Sequence, residues 1–181
     1  MRRYSITCIA FLAMGGCMFP PNPPRVPPLP KGPTASLKLA AADVGIVQSI
    51  DSKAVYMKAI ASLAATHSED ALIKGFASQL AQDYDKTHVA AQKIATNFNL
   101  TLADTSSPVE KARLATLGKL YGRPFDKAFL YDITHASTAK ERATLVAVQK
   151  NGSIADVKSL ATAVATLLEQ CRTQGNGLYH R

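Results

Sequence analysis

From Thr34 onward the apolar positions recur at alternating intervals of three and four, the spacing that lines one side of an α-helix. Val47, Ile50, Ala54, Met57, Ala61 and Ala64 predict a first helix, starting near Asp43 as its cap. Ser68-Glu69-Asp70 offers a second start, with acidic groups where the helix dipole favours them. The stripe Ile73, Ala77, Leu80, Tyr84, Thr87, Ala91, Ile94, Phe98 follows it. A connection begins at Asn97 and Asn99, and Ser107-Pro108-Val109-Glu110 opens a short helix within it, with a capping box and a proline at the first helical position. This crossover ends near Gly122. After Pro124, the positions Phe125, Phe129, Asp132, Ala136, Ala139, Ala143 and Val146 predict a third long helix, closed by Asn151-Gly152 as a left-handed cap. Ile154, Val157, Ala161, Val164, Leu168 and Cys171 predict a fourth, broken by Gly175-Asn176-Gly177. No strand is needed. The expected fold is all-α: a ferritin-like four-helix bundle, with a long crossover containing a short helix between helices two and three.

The pattern is different ahead of Thr34. Arg2-Arg3, an apolar run from Ile6 to Met14 and then Gly15-Gly16-Cys17 read as a signal peptide over residues 1–16, too short to span a bilayer permanently. Ala13-Met14-Gly15-Gly16-Cys17 resembles the lipobox of bacterial lipoproteins, although Met14 and Gly15 are less common there than Leu and Ala. That resemblance implies a diacylglyceryl thioether on Cys17, and acyl chains together give stable anchoring to a membrane. Met18 stands where an aspartate would mark inner-membrane retention, so the resemblance points to an outer-membrane lipoprotein facing the periplasm. Residues 20–33 hold eight of the ten prolines, which favours polyproline II and a spacer on the order of 45 Å. Residues 17–33 thus read as lipidated cysteine and tether, and 34–181 as the bundle domain.

Charge and composition narrow the function by exclusion. Arg2 and Arg3 fall in the leader, which reduces 21 basic residues to 19 against 13 acidic ones and leaves the mature chain at +6. The basic residues are scattered and no run exceeds two, so nothing resembles a phosphate-tracking patch, and nucleic acid is not an expected partner. No Gly-x-Ser-x-Gly elbow, phosphate loop or His-Glu-x-x-His helix occurs. With Cys8 in the leader and Cys17 acylated, Cys171 is the remaining thiol.

Chemistry is most visible where the apolar stripes are interrupted. Met57 reads as a core filler and Tyr84 as a core aromatic with a polar tip. Asp132 is a carboxylate on an inward face, which is costly unless paired. His135 lies about 16 residues before Asn151 and Cys171 about 19 after it, so the two could share a level in the bundle. Asp132, His135 and Cys171 are therefore candidate ligands for zinc or copper, with no fourth ligand in view. An Asp132–His135 pair is equally an ordinary helix hydrogen bond, and Asp85–His88 reads as a solvated pair. No cofactor is expected.

Phe76-Ala77 with Leu80 and Asp83, Phe125-Asp126-Lys127-Ala128-Phe129, His135, and the segment Leu168 to Leu178 resemble domain-of-unknown-function family 4142, a group of exported bacterial proteins assigned to the ferritin-like superfamily. That resemblance implies a glutamate pair in helix one and a histidine in each of helices two, three and four. Met57 and Ala59 stand at the glutamate positions, Tyr84 at the first histidine and Cys171 at the last, and only His135 matches. A metal site implied by the family would have lost most of its ligands here. The combined expectation is a lipid-anchored envelope protein, non-catalytic, with a binding, scaffold or stress-related role and an envelope-protein or cell-wall partner. The other reading is a ferritin-like metal protein with a degenerate site.

Overall fold

The computed structural model describes residues 38–102 and 106–180; the leader, Cys17 and the proline-rich segment lie outside them. Six helices follow one another: α1 (Ala41–His67), α2 (Ala71–Asn97), α3 (Pro108–Leu117), α4 (Gly122–Thr134), α5 (Ala139–Asn151) and α6 (Ala155–Tyr179). Among the described residues there is no strand.

The long helices bury the expected stripes. Val47, Ile50, Ala54, Met57, Ala61 and Ala64 of α1 are all buried, as are Ile73 through Ile94 at the predicted positions of α2. α1 packs along α2, α6 runs beside α4 and α5, and α2 meets α6. Two buried clusters divide the interior. One joins Met57, Tyr84, Phe125, Phe129 and Cys171. The other joins Val47, Ile50, Ile94, Leu145, Val157 and Val164. Since α4 contributes to the first and α5 to the second, these two short helices together fill the fourth column of a helical bundle.

That division corrects the predicted single third helix. Its chain stops at His135 and restarts at Thr138, whose hydroxyl accepts from Glu141 N while the Glu141 carboxylate accepts from Thr138 N, a complete capping box. The break resets the helical phase. α5 therefore buries Leu145 and Val148, whereas Ala143 and Val146 of the predicted stripe are exposed. Three end signals are also corrected. Asp43 is not the cap of α1: it lies in the first turn, buried, and accepts from the Ser153 hydroxyl at 2.6 Å. Gly152 closes α5 at φ −56°, so that cap is not left-handed. α6 runs through Gly175 and Gly177 to Tyr179, because packing against α4 outweighs the roughly 1 kcal/mol that each glycine costs a helix. The capping box at Ser107–Glu110 and the cap at Asp70 form as the sequence predicts. No described helix is long and apolar enough to cross a membrane.

Candidate functional site

Asp132, His135 and Cys171 sit in three separate surroundings. The Asp132 carboxylate accepts from Arg113 Nε and Nη2, both at 2.8 Å, and so fastens the short crossover helix α3 onto α4. The fork geometry matches a carboxylate edge, and hydrogen bonding to Asp132 raises the guanidinium's already high pKa. His135 is the exposed cap residue of α4; its ring stacks on Tyr131 at 4.2 Å and Nδ1 donates to the Tyr131 carbonyl at 2.9 Å. Cys171 is a free thiol buried in the core. His135 and Cys171 do lie at a similar level, since residues from 133–137 and from 168–172 line one cavity, but they face apart: His135 is turned to the surface and Cys171 to the core. Among the described residues no group of three or more His, Cys, Asp or Glu side chains could hold a metal ion.

Three positions where the apolar stripes are interrupted or carry a polar tip do converge. Met57, Tyr84 and Cys171 belong to one buried cluster. Burial pushes the Cys171 thiol up to about 11, with the Tyr84 hydroxyl alongside it, and burial likewise raises the Tyr84 phenol well above its ordinary range. The contact with sulfur falls short of hydrogen-bond geometry, which leaves Tyr84 Oη without a partner. A thiol so strongly protonated is a weak nucleophile and a poor metal ligand at neutral pH.

Other polar groups hold the bundle together, and among them the expected Asp85–His88 pair is replaced by contacts between helices. Asp51, buried on α1, accepts from His88 Nδ1 of α2 at 2.7 Å, while Asp85 pairs instead with Lys58. Lys53 donates to Glu141 at 2.7 Å and to the Ala136 carbonyl at 2.6 Å, bracing the break between α4 and α5. Neither pair could be read from spacing within one helix, because each joins residues more than 30 positions apart.

A long open feature lies along the seam of α2 and α6. A groove of about 800 Å³ is floored by Ile94, Leu160 and Leu167 and edged by Lys86, Lys93, Asp156 and Ser159. Asp83, Leu167 and Gln170 are shared with a neighbouring cavity of about 230 Å³ that reaches Cys171. Phe76, Gln79 and Gln174 join that cavity in turn to an apolar cleft of about 380 Å³ between Leu72 and Leu178. The seam is thus open along its whole length, with ammonium, carboxylate, hydroxyl and amide groups over an aliphatic floor. Such a lining suits recognition.

Fold and seam define an all-α bundle with an open inter-helical groove, and the fold is similar to that of a solved structure, the crystal structure of a DUF305 fragment from Deinococcus radiodurans. The likeness has a TM-score of 0.67 at 14% sequence identity, and covers 80% of this chain and 99% of that one. A comparison with curated proteins finds no match. The profile of the domain of unknown function DUF4142 matches residues 28–178, and the chain belongs to that family.

Proposed function

We propose that this chain is a lipid-anchored protein of the bacterial cell envelope, held at the outer membrane through Cys17, and that its bundle works as a non-catalytic binding or scaffold module. The observation that carries the binding role is the continuous groove between α2 and α6, a long concave surface where polar and apolar groups are presented together. The titratable pairs at Asp132, His88 and Lys53 support the same reading, since each is engaged in joining helices. The lipobox-like Ala13–Cys17 supports the anchor, and the proline-rich residues 20–33 would hold the bundle away from the bilayer.

Metabolic labelling with a clickable fatty acid tests the anchor. The wild-type chain should take up label and fractionate with outer membranes, and Cys17→Ser should do neither. Label retained by Cys17→Ser would refute the proposal.

A further inference from the structure

We propose that the α2–α6 face is a self-association surface, on which a second copy of this chain packs with its two-fold axis parallel to the helices. The two walls of the seam are written in the same period. On α2, Leu72, Gln79, Lys86 and Lys93 recur every seven residues; on α6, Asp156, Ala163, Gln170 and Gly177 do the same. Seven residues make nearly two turns, so each set stays on one side of its helix, as in the seam of a coiled coil. All eight are exposed in the single chain.

The sets also match in level. α2 and α6 run antiparallel, with Leu72 beside Leu178 at one end and Lys93 beside Asp156 at the other. Lys93 is therefore level with Asp156, Lys86 with Ala163, Gln79 with Gln170, and Leu72 with Gly177. The first pair has opposite charges, the third joins two amides, and the other two set a long side chain against a small one.

A two-fold axis along the helices brings α2 of one copy to face α6 of the other at these same levels. Lys93 and Asp156, neither of which has an ion-pair partner among the described residues, then pair twice across the interface. Lys86 and Leu72 find room over Ala163 and Gly177. A perpendicular axis would instead set Lys93 against Leu72. Substitution at Gly177 has space in the single chain, where a Cβ would meet nothing within 4 Å, so the small residue serves no close approach inside the bundle.

The face extends over about 22 residues of two helices, or about 33 Å by 20 Å, giving roughly 650 Å² per chain. That is somewhat below the ~800 Å² per partner of a standard interface, so association is weak and grows with local concentration. The axis places the start of α1 at the same end of both copies. Two tethers can then reach one membrane, a consequence that rests on the proposed anchor, whereas the pairing itself does not.

The test uses two full-length copies carrying different tags, co-expressed and solubilised in mild detergent; one is captured and the other quantified against an unrelated anchored protein. Wild type should capture wild type. Lys93→Asp with itself, and Asp156→Lys with itself, should each fall by roughly tenfold, since two attractive pairs become repulsive. Lys93→Asp with Asp156→Lys should recover the wild-type level, because both crossed pairs are again complementary. Gly177→Phe should lose capture while keeping the wild-type helical signal and a melting temperature no lower than that of wild type. The same results in a Cys17→Ser background separate pairing from anchoring. Wild-type capture no higher than the control, or no recovery in the mixed pair, overturns the proposal, as does mass spectrometry showing an acyl lipid or an unrelated helix in the groove with no second copy.

Discussion

Gly175 and Gly177 are two residues apart on one helix and have opposite reasons to be glycine. A Cβ at Gly175 would lie 2.7 Å from Thr134 Cγ2, and Thr134 cannot easily turn away because its hydroxyl is tied to the Leu130 carbonyl. Gly175→Ala should cost about 1–2 kcal/mol, as overpacked sites do. Gly177→Ala should gain up to about 1 kcal/mol from helix propensity alone. Urea titration of both variants reads the difference. The buried pair gives a second residue-scale prediction. Because folding raises the Cys171 pKa from 9.0 to about 11, the folded state holds that proton more tightly than the unfolded chain. The linked stability is fully present below pH 9 and is lost as pH rises through about 11, by roughly 2–3 kcal/mol in all. Thermal melts between pH 7 and 11 should show this loss, and Cys171→Ala should reduce it, leaving the contribution of Tyr84. Tyr84→Phe removes an unpartnered hydroxyl and should leave the melting temperature at pH 7 unchanged or higher.

Whole elements are fastened by few contacts. α3 buries only Leu117, so its place depends heavily on the fork between Arg113 and Asp132. Arg113→Ala and Asp132→Ala should each cost about 1 kcal/mol, and the double variant little more than either, because both remove one interaction. Exchange of α3 amides should accelerate in all three. At the α4–α5 break, Thr138→Ala should cost about 1 kcal/mol through its cap. Thr138-x-x-Glu141 was legible in the sequence as a helix start, yet the apolar spacing of Ala136 and Ala139 carried the predicted helix across it. Alanine fits either reading. What stops the helix is the set of contacts made from outside, with Lys53 of α1 donating to the Ala136 carbonyl and to Glu141.

At the scale of the whole molecule, the apolar stripes of α1, α2 and α6 determined by themselves that these segments are helices and which sides they bury. Burying a stripe of period 3.6 requires a neighbour but does not name it. The capping signals at Asp70 and Ser107 were equally local, since a cap is satisfied within three residues of its own chain. Tertiary structure alone decided the rest. It split the fourth column into α4 and α5, assigned Asp132 to Arg113 and His88 to Asp51, left His135 on the surface and placed Cys171 beneath Tyr84. Each of these outcomes sets groups distant in sequence against one another, and their energies depend on burial and angle that no spacing within one helix encodes. The seam of α2 and α6 belongs to both levels. Its seven-residue period is written in the sequence, but only the antiparallel packing of the two helices puts Lys93 level with Asp156 and Leu72 level with Gly177.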